Sequence, residues 1–298
     1  MVISNFFKNK FSEKEGVNIY DNDDKYTENF SKQWRDFSLT QVDSFNKTNI
    51  SEDYLNELMF NNIENLHNKN VLEIGCGSGR FTEHIIKKAK MCVAVDLSKS
   101  IFYNVSKNSK NLILIKSDFL NLEIKEKFDI VICRGVLQHT PFPNNSILKL
   151  FDFVKNDGMV YFDYYKKPKL GILHPKYLFW RPILRNIFNY NDFKIFLEKN
   201  ITKLIMFKNI IRKITFNSNF ISDTIIPIWD FRENKYNISK KLFENWTILD
   251  TLDGIYAKFD YPKSNIEIIN LLKKNKIKII NNNQNKNFIC GKLFEENF

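Results

Sequence analysis

The chain has 298 residues, 43% of them hydrophobic, and a formal net charge of +11, which suits one large domain or one domain with a sizeable insertion. No apolar run approaches the ~18 residues of a transmembrane helix. The opening "MVISNFFKNKF" lacks the apolar core and small-residue cleavage site of a secretory signal, so the expectation is a soluble, cytoplasmic protein.

Residues 1–67 contain Trp34, Phe37, Phe45, Leu55 and Leu58. They predict an N-terminal helical cap packed over the C-terminal edge of a sheet. From 68 to 166, short apolar runs alternate with helical periods. "NVLEIGCG" reads as a strand, and "RFTEHIIKKAK" as a helix with apolar residues at 81, 85, 86 and 89. "MCVAVDLS", "LILIKSDF", "FDIVICRGV" and "GMVYFDYY" read as four more strands. "SIFYNVSKNSK", weaker in propensity, and "NNSILKLFDFVK" read as helices between them. Such alternation argues for a parallel, doubly wound sheet. Cys76, Cys92, Cys133 and Cys290 form no C-x-x-C pair and sit in strand-like surroundings, which reads as buried free thiols.

Residues 167–255 are needed by no core strand. They hold Pro168, Pro175, Pro182 and Pro227 and predict a basic, mainly helical insertion or lid. Between Lys166 and Phe216 stand twelve Lys or Arg, opposed only by Asp192 and Glu198. Residues 256–298 return to the core. Ser264 and Glu267 make a capping box, and "KIKII" and "NFICGKLF" flank a short polar turn. The expected fold is α/β: a Rossmann-like, doubly wound, seven-stranded sheet with an antiparallel terminal hairpin. The helical insertion falls between strand five and the last helix. That differs from the six parallel strands of a dinucleotide-binding fold.

In "VLEIGCGSGRF" the glycines at 77 and 79 stand where a strand turns into a helix. There the backbone can approach a ligand and present free N–H groups. Asp96 ends the second strand, where an acid can accept hydrogen bonds from ribose hydroxyls. Asp118 ends the third, near where an adenine amine would lie, with Leu97 and Phe119 as flanking apolar walls. Either acid alone can be a helix cap. The spacing G-x-G-x-G departs from the G-x-G-x-x-G of dinucleotide sites. Glu73, two residues before the first glycine, is awkward beside a pyrophosphate and suited to an ammonium and a sulfonium. This favours S-adenosyl-L-methionine over NAD.

"VLEIGCGSGRF", "VAVDLS", "IKSDF" and "FDIVICRGVLQH" resemble, in order and spacing, the successive motifs of class I S-adenosylmethionine-dependent methyltransferases. "VLQHTPFP" resembles their type 11 small-molecule branch. The resemblance implies that Glu73, Gly75, Gly77 and Gly79 line the methionine part, that Asp96 holds the ribose, and that Asp118 and Phe119 hold the adenine. "WRDFSLTQVDSF" and "DTLDGIYAKFDYP" are more weakly similar to flanking segments of bacterial members found near surface-polysaccharide genes.

Methyl transfer needs an aligned acceptor, excluded water and, for oxygen, a base. His139 is the first candidate base, since a histidine can take a hydroxyl proton at physiological pH. It can equally be a packing residue. Asp163 is a second candidate base or a strand-end cap. Arg134 is placed with both cofactor and acceptor, or with a neighbouring carboxylate. Gln138, Tyr164, Tyr165, Arg181 and Asp253 are further acceptor-binding candidates. No cluster suggests a metal.

The basic insertion has three readings: a solvated lid, a wall attracting an anionic glycan or nucleotide-sugar, or peripheral membrane docking through 167–216. The [DNS]-P-P-[YF] sequence of base-amino methyltransferases is absent, which argues against nucleic acid. The expected activity is O-methylation of an anionic, sugar-type small molecule. The alternatives are a membrane-borne quinone or lipid acceptor, or a non-catalytic cofactor-binding partner. The sequence leaves the oligomeric state open.

Overall fold

The computed structural model describes residues 3–21, 23, 26–168, 170–230 and 236–293. Its strands are β1 (Ser12–Lys14), β2 (Val17–Ile19), β3 (Asn70–Ile74), β4 (Met91–Asp96), β5 (Leu112–Lys116), β6 (Phe128–Cys133), β7 (Val154–Asp163), β8 (Ile277–Asn283) and β9 (Phe288–Leu293). They form one sheet in the order β1-β2-β5-β4-β3-β6-β7-β9-β8. Strands β2 to β7 pair in parallel, and β9 runs antiparallel between β7 and β8. The inner strands are buried on both faces, so they read as continuous apolar runs rather than alternating ones.

The α-helices are α1 (Glu28–Asp36), α2 (Asp43–Asn46), α3 (Ile50–Leu58), α4 (Thr82–Ile85), α5 (Pro143–Asp152), α6 (Arg181–Ile187), α7 (Tyr190–Ile214), α8 (Asn219–Ile225), α9 (Lys240–Tyr256) and α10 (Asn265–Lys274). The Ser264–Glu267 capping box is formed at α10. All four cysteines are free and buried. No helix among the described residues is long and apolar enough to cross a membrane.

Three expectations need correction. The sheet has nine strands rather than seven, because 12–19 in the N-terminal segment fold as a hairpin that adds β2 to β5. Three-residue strands are too short to display a period. The helix expected after β3 is a single turn, Thr82–Ile85, although Phe81, Ile85 and Ala89 are buried as its period requires. The helix expected after β4 is a 3-10 turn, Lys99–Tyr103, capped by Ser98. Its Asn- and Ser-rich continuation has too little helix propensity to extend it.

One apolar cluster on the sheet joins Phe6, Phe7, Phe128, Phe153 and Phe162, and another joins Leu55, Leu58, Phe81, Ile85 and Cys92. A third joins Phe37 to Leu184, Phe193, Leu197, Leu249 and Leu252, so the segment between β7 and β8 has its own small core. Five of its cations are held in ion pairs. Lys176 and Arg181 share Asp260, and Lys194 bridges Asp36 and Glu198. Lys208 and Arg212 share Asp230, which is itself buried.

The segment before β3 is pinned to the sheet by a buried ion cluster. Asp43 accepts the N–H groups of Ser51 and Glu52 at the start of α3, and Glu83 accepts the Asp43 N–H at 2.8 Å. His84 Nε2 lies 3.1 Å from Asp43 and 3.4 Å from Glu83. Burial alone lowers the His84 pKa, but the bonds to Asp43 and Glu83 win and raise it to about 9. A raised histidine pKa gives stability that is present in full below the unfolded value of ~6.5. That stability is lost as pH rises through about 9. Allowing for screening, the contribution is about 2 kcal/mol. Thermal melts from about pH 6 to about pH 9.5, which bracket these two values, should show Tm falling more steeply in the wild type than in His84→Gln. Parallel slopes would contradict this role.

Candidate active site

A cavity of about 300 Å³ opens at the C-terminal ends of β3 to β7. The turn after β3 contributes Gly75 and Gly77, the ends of β4 and β5 contribute Asp96, Leu97, Asp118 and Phe119, and the ends of β6 and β7 contribute Arg134, His139, Asp163 and Tyr165. The cavity is closed by α1 through Phe30, Gln33 and Trp34, and by α9 through Leu249, Asp250 and Asp253.

The glycine turn is shaped as much by the protein as by space for a ligand. A Cβ on Gly75 would stand 2.0 Å from Val136 Cγ2, and one on Gly79 would stand 2.7 Å from Asn104 Oδ1. Both residues also have positive φ, so no larger residue fits either place. The Gly77 N–H donates to Asp96 Oδ2 at 2.8 Å, and Ser98 donates N–H and Oγ–H to Asp96 Oδ1 at 2.7 and 2.6 Å. Burial raises the Asp96 pKa and these bonds oppose the rise. Each carboxylate oxygen can accept more than one bond, so Asp96 keeps acceptor capacity on the cavity side. Asp118 Oδ1 caps Leu120 N–H at 3.1 Å, and Asp21 accepts the Asp118 N–H at 2.9 Å.

Glu73 and Gly79 are absent from the cavity wall. Glu73 lies beneath the turn, accepts Thr82 Oγ–H at 2.6 Å, and has Oε1 buried without a partner. Burial pushes its pKa up to about 7. Three acceptor candidates also lie elsewhere. The Tyr164 hydroxyl accepts from Asn265 at α10, and the Gln138 side chain is buried without partners. Arg181 is tied to Asp260 and to the Ala257 carbonyl. Tyr164 and Arg181 are thus held by partners outside the cavity.

His139 Nδ1 is 2.9 Å from the Phe259 carbonyl. That oxygen can only accept, so Nδ1 carries the proton and Nε2 of the neutral ring is left as an acceptor. Nε2 lies 3.8 Å from Asp253 Oδ2, and Tyr165 donates its hydroxyl to the same oxygen at 3.3 Å. The imidazole is held between Phe30 and Tyr165, at 5.1 and 5.3 Å between ring centres. Asp163 Oδ1 is committed to the Gly135 N–H at 2.6 Å, and Oδ2 is 3.8 Å from Arg134. Arg134 donates to the Tyr54 carbonyl at 2.6 Å and lies over the Tyr54 ring.

The sequence reading missed several lining residues. Arg80 follows the glycine turn. It bonds Ser51 and Gln41, lies over the rings of Tyr54, Phe81 and Trp246, and its pKa is lowered by burial to about 10. Asp250, on the same wall, has its pKa raised by burial and Asp253 to about 8. It is therefore protonated and neutral near pH 7. Tyr26 stands close to Asp96 and Asp118, and burial with their charges raises its pKa. Tyr26 and Asp250 carry no local motif, because their place in the wall comes from where the segments of α1 and α9 cross the sheet edge. No group of three or more His, Cys, Asp or Glu among the described residues could hold a metal.

The family model that matches this chain is described as "Methyltransferase domain" and covers residues 72–162, from β3 into β7. This part of the chain is a methyltransferase domain. The methyltransferase domain is similar to ubiquinone biosynthesis O-methyltransferase of Pseudomonas fluorescens (strain SBW25), at 31% identity over 104 residues, 33% of this chain and 45% of that protein. The protein of that name from Coxiella burnetii (strain Dugway 5J108-111) is 31% identical over 103 residues, 33% of this chain and 44% of the relative. The chain thus spans less than half the length of the curated relatives it matches. A solved structure of magnesium protoporphyrin IX methyltransferase from Synechocystis PCC 6803 with bound SAH aligns with 91% of this chain and 97% of that one, at 13% identity and a TM-score of 0.47.

Proposed function

We propose that the chain transfers a methyl group from S-adenosyl-L-methionine to an oxygen of a hydroxyl-rich acceptor, with His139 as the base. One observation carries this reading. A single cavity is lined by Asp96, Asp118 and Phe119 and also by the His139–Asp253 pair. The residues present fit the donor. Asp96 retains lone pairs for ribose hydroxyls, Leu97 and Phe119 offer an apolar slot beside Asp118, and the Gly75–Gly77 backbone leaves room for the methionine part.

The donor supplies an electrophilic methyl group. The chain's residues do the rest. His139 Nε2 accepts the acceptor's hydroxyl proton, and Asp253 stabilises the imidazolium that results. The Phe259 carbonyl fixes the ring's tautomer, while α1 and α9 exclude water. Arg134 and Arg80 face Asp163, Asp253 and neutral Asp250, a mixed wall suited to bridging by several hydroxyls. The case for an anionic sugar-type acceptor is weaker than the charge count suggested, because Lys176, Arg181, Lys208 and Arg212 are spent on Asp260 and Asp230. A membrane-borne quinone or lipid head bearing a hydroxyl is the second reading. A non-catalytic, donor-binding partner is the third.

Titration calorimetry with S-adenosylmethionine and, separately, with NAD tests the donor. Binding of the first alone is expected; binding of NAD alone sinks the reading. Incubation with labelled donor and sugar, nucleotide-sugar and quinol acceptors then separates the acceptor classes.

A further inference from the structure

The solvent face of α7 is unusual for a surface helix. Ile195, Met206, Phe207, Ile210 and Ile214 are each between 45% and 71% exposed. They recur at the three- and four-residue spacings of one helical face. Lys199, Lys203 and Lys213 are exposed on the same face, and none has a carboxylate partner among the described residues. Glu198, beside Lys199 in the chain, is taken by Lys194. α8, which packs against α7, adds Phe220, Ile221 and Ile225, between 40% and 49% exposed.

At the turn between the two helices stands Phe216, 98% exposed with φ +51°. A bulky aromatic in the left-handed region is strained, and here it buries nothing within the molecule. The strain and the exposure both point to a surface outside the chain. An apolar face this large is atypical of a free monomer.

The charge pattern selects the occupant. A second copy docked by two-fold symmetry would gather Lys199, Lys203 and Lys213 of both copies, all of one sign, into a single interface. A bilayer with anionic headgroups would neutralise them while taking up the apolar side chains, as interfacial helices do.

One ring contact joins this face to a residue of a second cavity. The His174 ring packs on Phe220, with centres 5.7 Å apart. His174 lines a second cavity of about 510 Å³ with Tyr177 and Trp229, and that cavity ends on Arg134, Asp163 and Tyr165, which also line the first.

We propose that the α7–α8 face, with Phe216 at its tip, docks on an anionic bilayer, and that the second cavity admits the acceptor from that side. The docking stands on the surface alone; the acceptor route rests on the methyl-transfer reading. The test is flotation of the full chain with phosphatidylcholine vesicles and with vesicles that also contain phosphatidylglycerol. Binding to the anionic vesicles only, reversed by salt, is expected.

The double variant Phe207→Glu/Ile210→Glu should weaken partitioning by about tenfold or more, and each Lys→Gln at 199, 203 or 213 by about fivefold. Donor binding by calorimetry should be unchanged in all of them, which reports an intact fold and keeps docking separate from the donor reading. No flotation with anionic vesicles, or flotation unchanged in the double variant, overturns the proposal. So does a dimer in light scattering that the double variant abolishes, because the face would then belong to a second copy.

Discussion

His139→Asn is expected to lower kcat by about a hundredfold or more while leaving the affinity for S-adenosylmethionine within about twofold. The asymmetry follows from geometry. His139 touches the cavity through an imidazole whose Nδ1–H is spent on the Phe259 carbonyl, at 2.9 Å. Its remaining function is at Nε2, beside Asp253. None of the bonds described for Asp96 or Asp118 involves it. An asparagine keeps a polar group in the slot but cannot hold the transferred proton.

Asp253→Asn tests the second half of the pair. Removing the carboxylate that stabilises the imidazolium should cost kcat about tenfold with little change in KM. Asn at 253 still accepts the Tyr165 hydroxyl, so the ring's packing is kept. Full turnover in His139→Asn would remove the base assignment and favour an acceptor that reacts without losing a hydroxyl proton in the rate-limiting step.

The parts of this site that could be read from the chain share one property: they sit at strand ends in regular register. Asp96 and Asp118 close β4 and β5, and Leu97 and Phe119 follow them, so strand recognition placed all four at one edge of the sheet. Glu73 and Gly79 were read from the same stretch but serve the turn itself, and spacing alone does not distinguish a wall from its support. Gly79 faces Asn104, 25 residues further on, and Glu73 faces Thr82. Only tertiary packing tells which neighbour a missing Cβ accommodates.

The roof was legible only in outline. Trp34 was noted among the apolar residues of a cap, yet its contact with Gly77, 3.7 Å from where a Cβ would stand, depends on how α1 crosses the sheet edge. The hairpin of β1 and β2 left no period to read. Arg181 illustrates a different limit. Clustered cations suggested an anion site, but partners distant in sequence, Asp260 and Asp230, turn the same charges into structural ion pairs. Lys199, Lys203 and Lys213 of α7, which are exposed, have no such partner among the described residues.

Asp96→Ala should weaken donor binding by about a hundredfold or more, the largest loss expected at the donor end. A charged acceptor contributes about 1.5–3 kcal/mol per hydrogen bond, and two ribose hydroxyls on one carboxylate therefore represent at least two decades in Kd. Asp96 has a second function that makes the loss steeper. It receives the Gly77 N–H and two donors from Ser98, so the same substitution frees the turn proposed to hold the methionine part. Asp118→Ala should cost only about tenfold, because Asp118 offers fewer groups and its own backbone N–H stays held by Asp21. Calorimetry on both variants, with thermal melts to show that each is folded, gives the ratio. Because a ligand stabilises the fold by RT ln(1 + [L]/Kd), S-adenosylmethionine at a concentration between the two variants' Kd values should leave the melt of Asp96→Ala nearly unshifted and still raise that of Asp118→Ala. Equal losses at the two acids would mean that the ribose is not held by Asp96, and the donor would then have to lie in the cavity in another orientation.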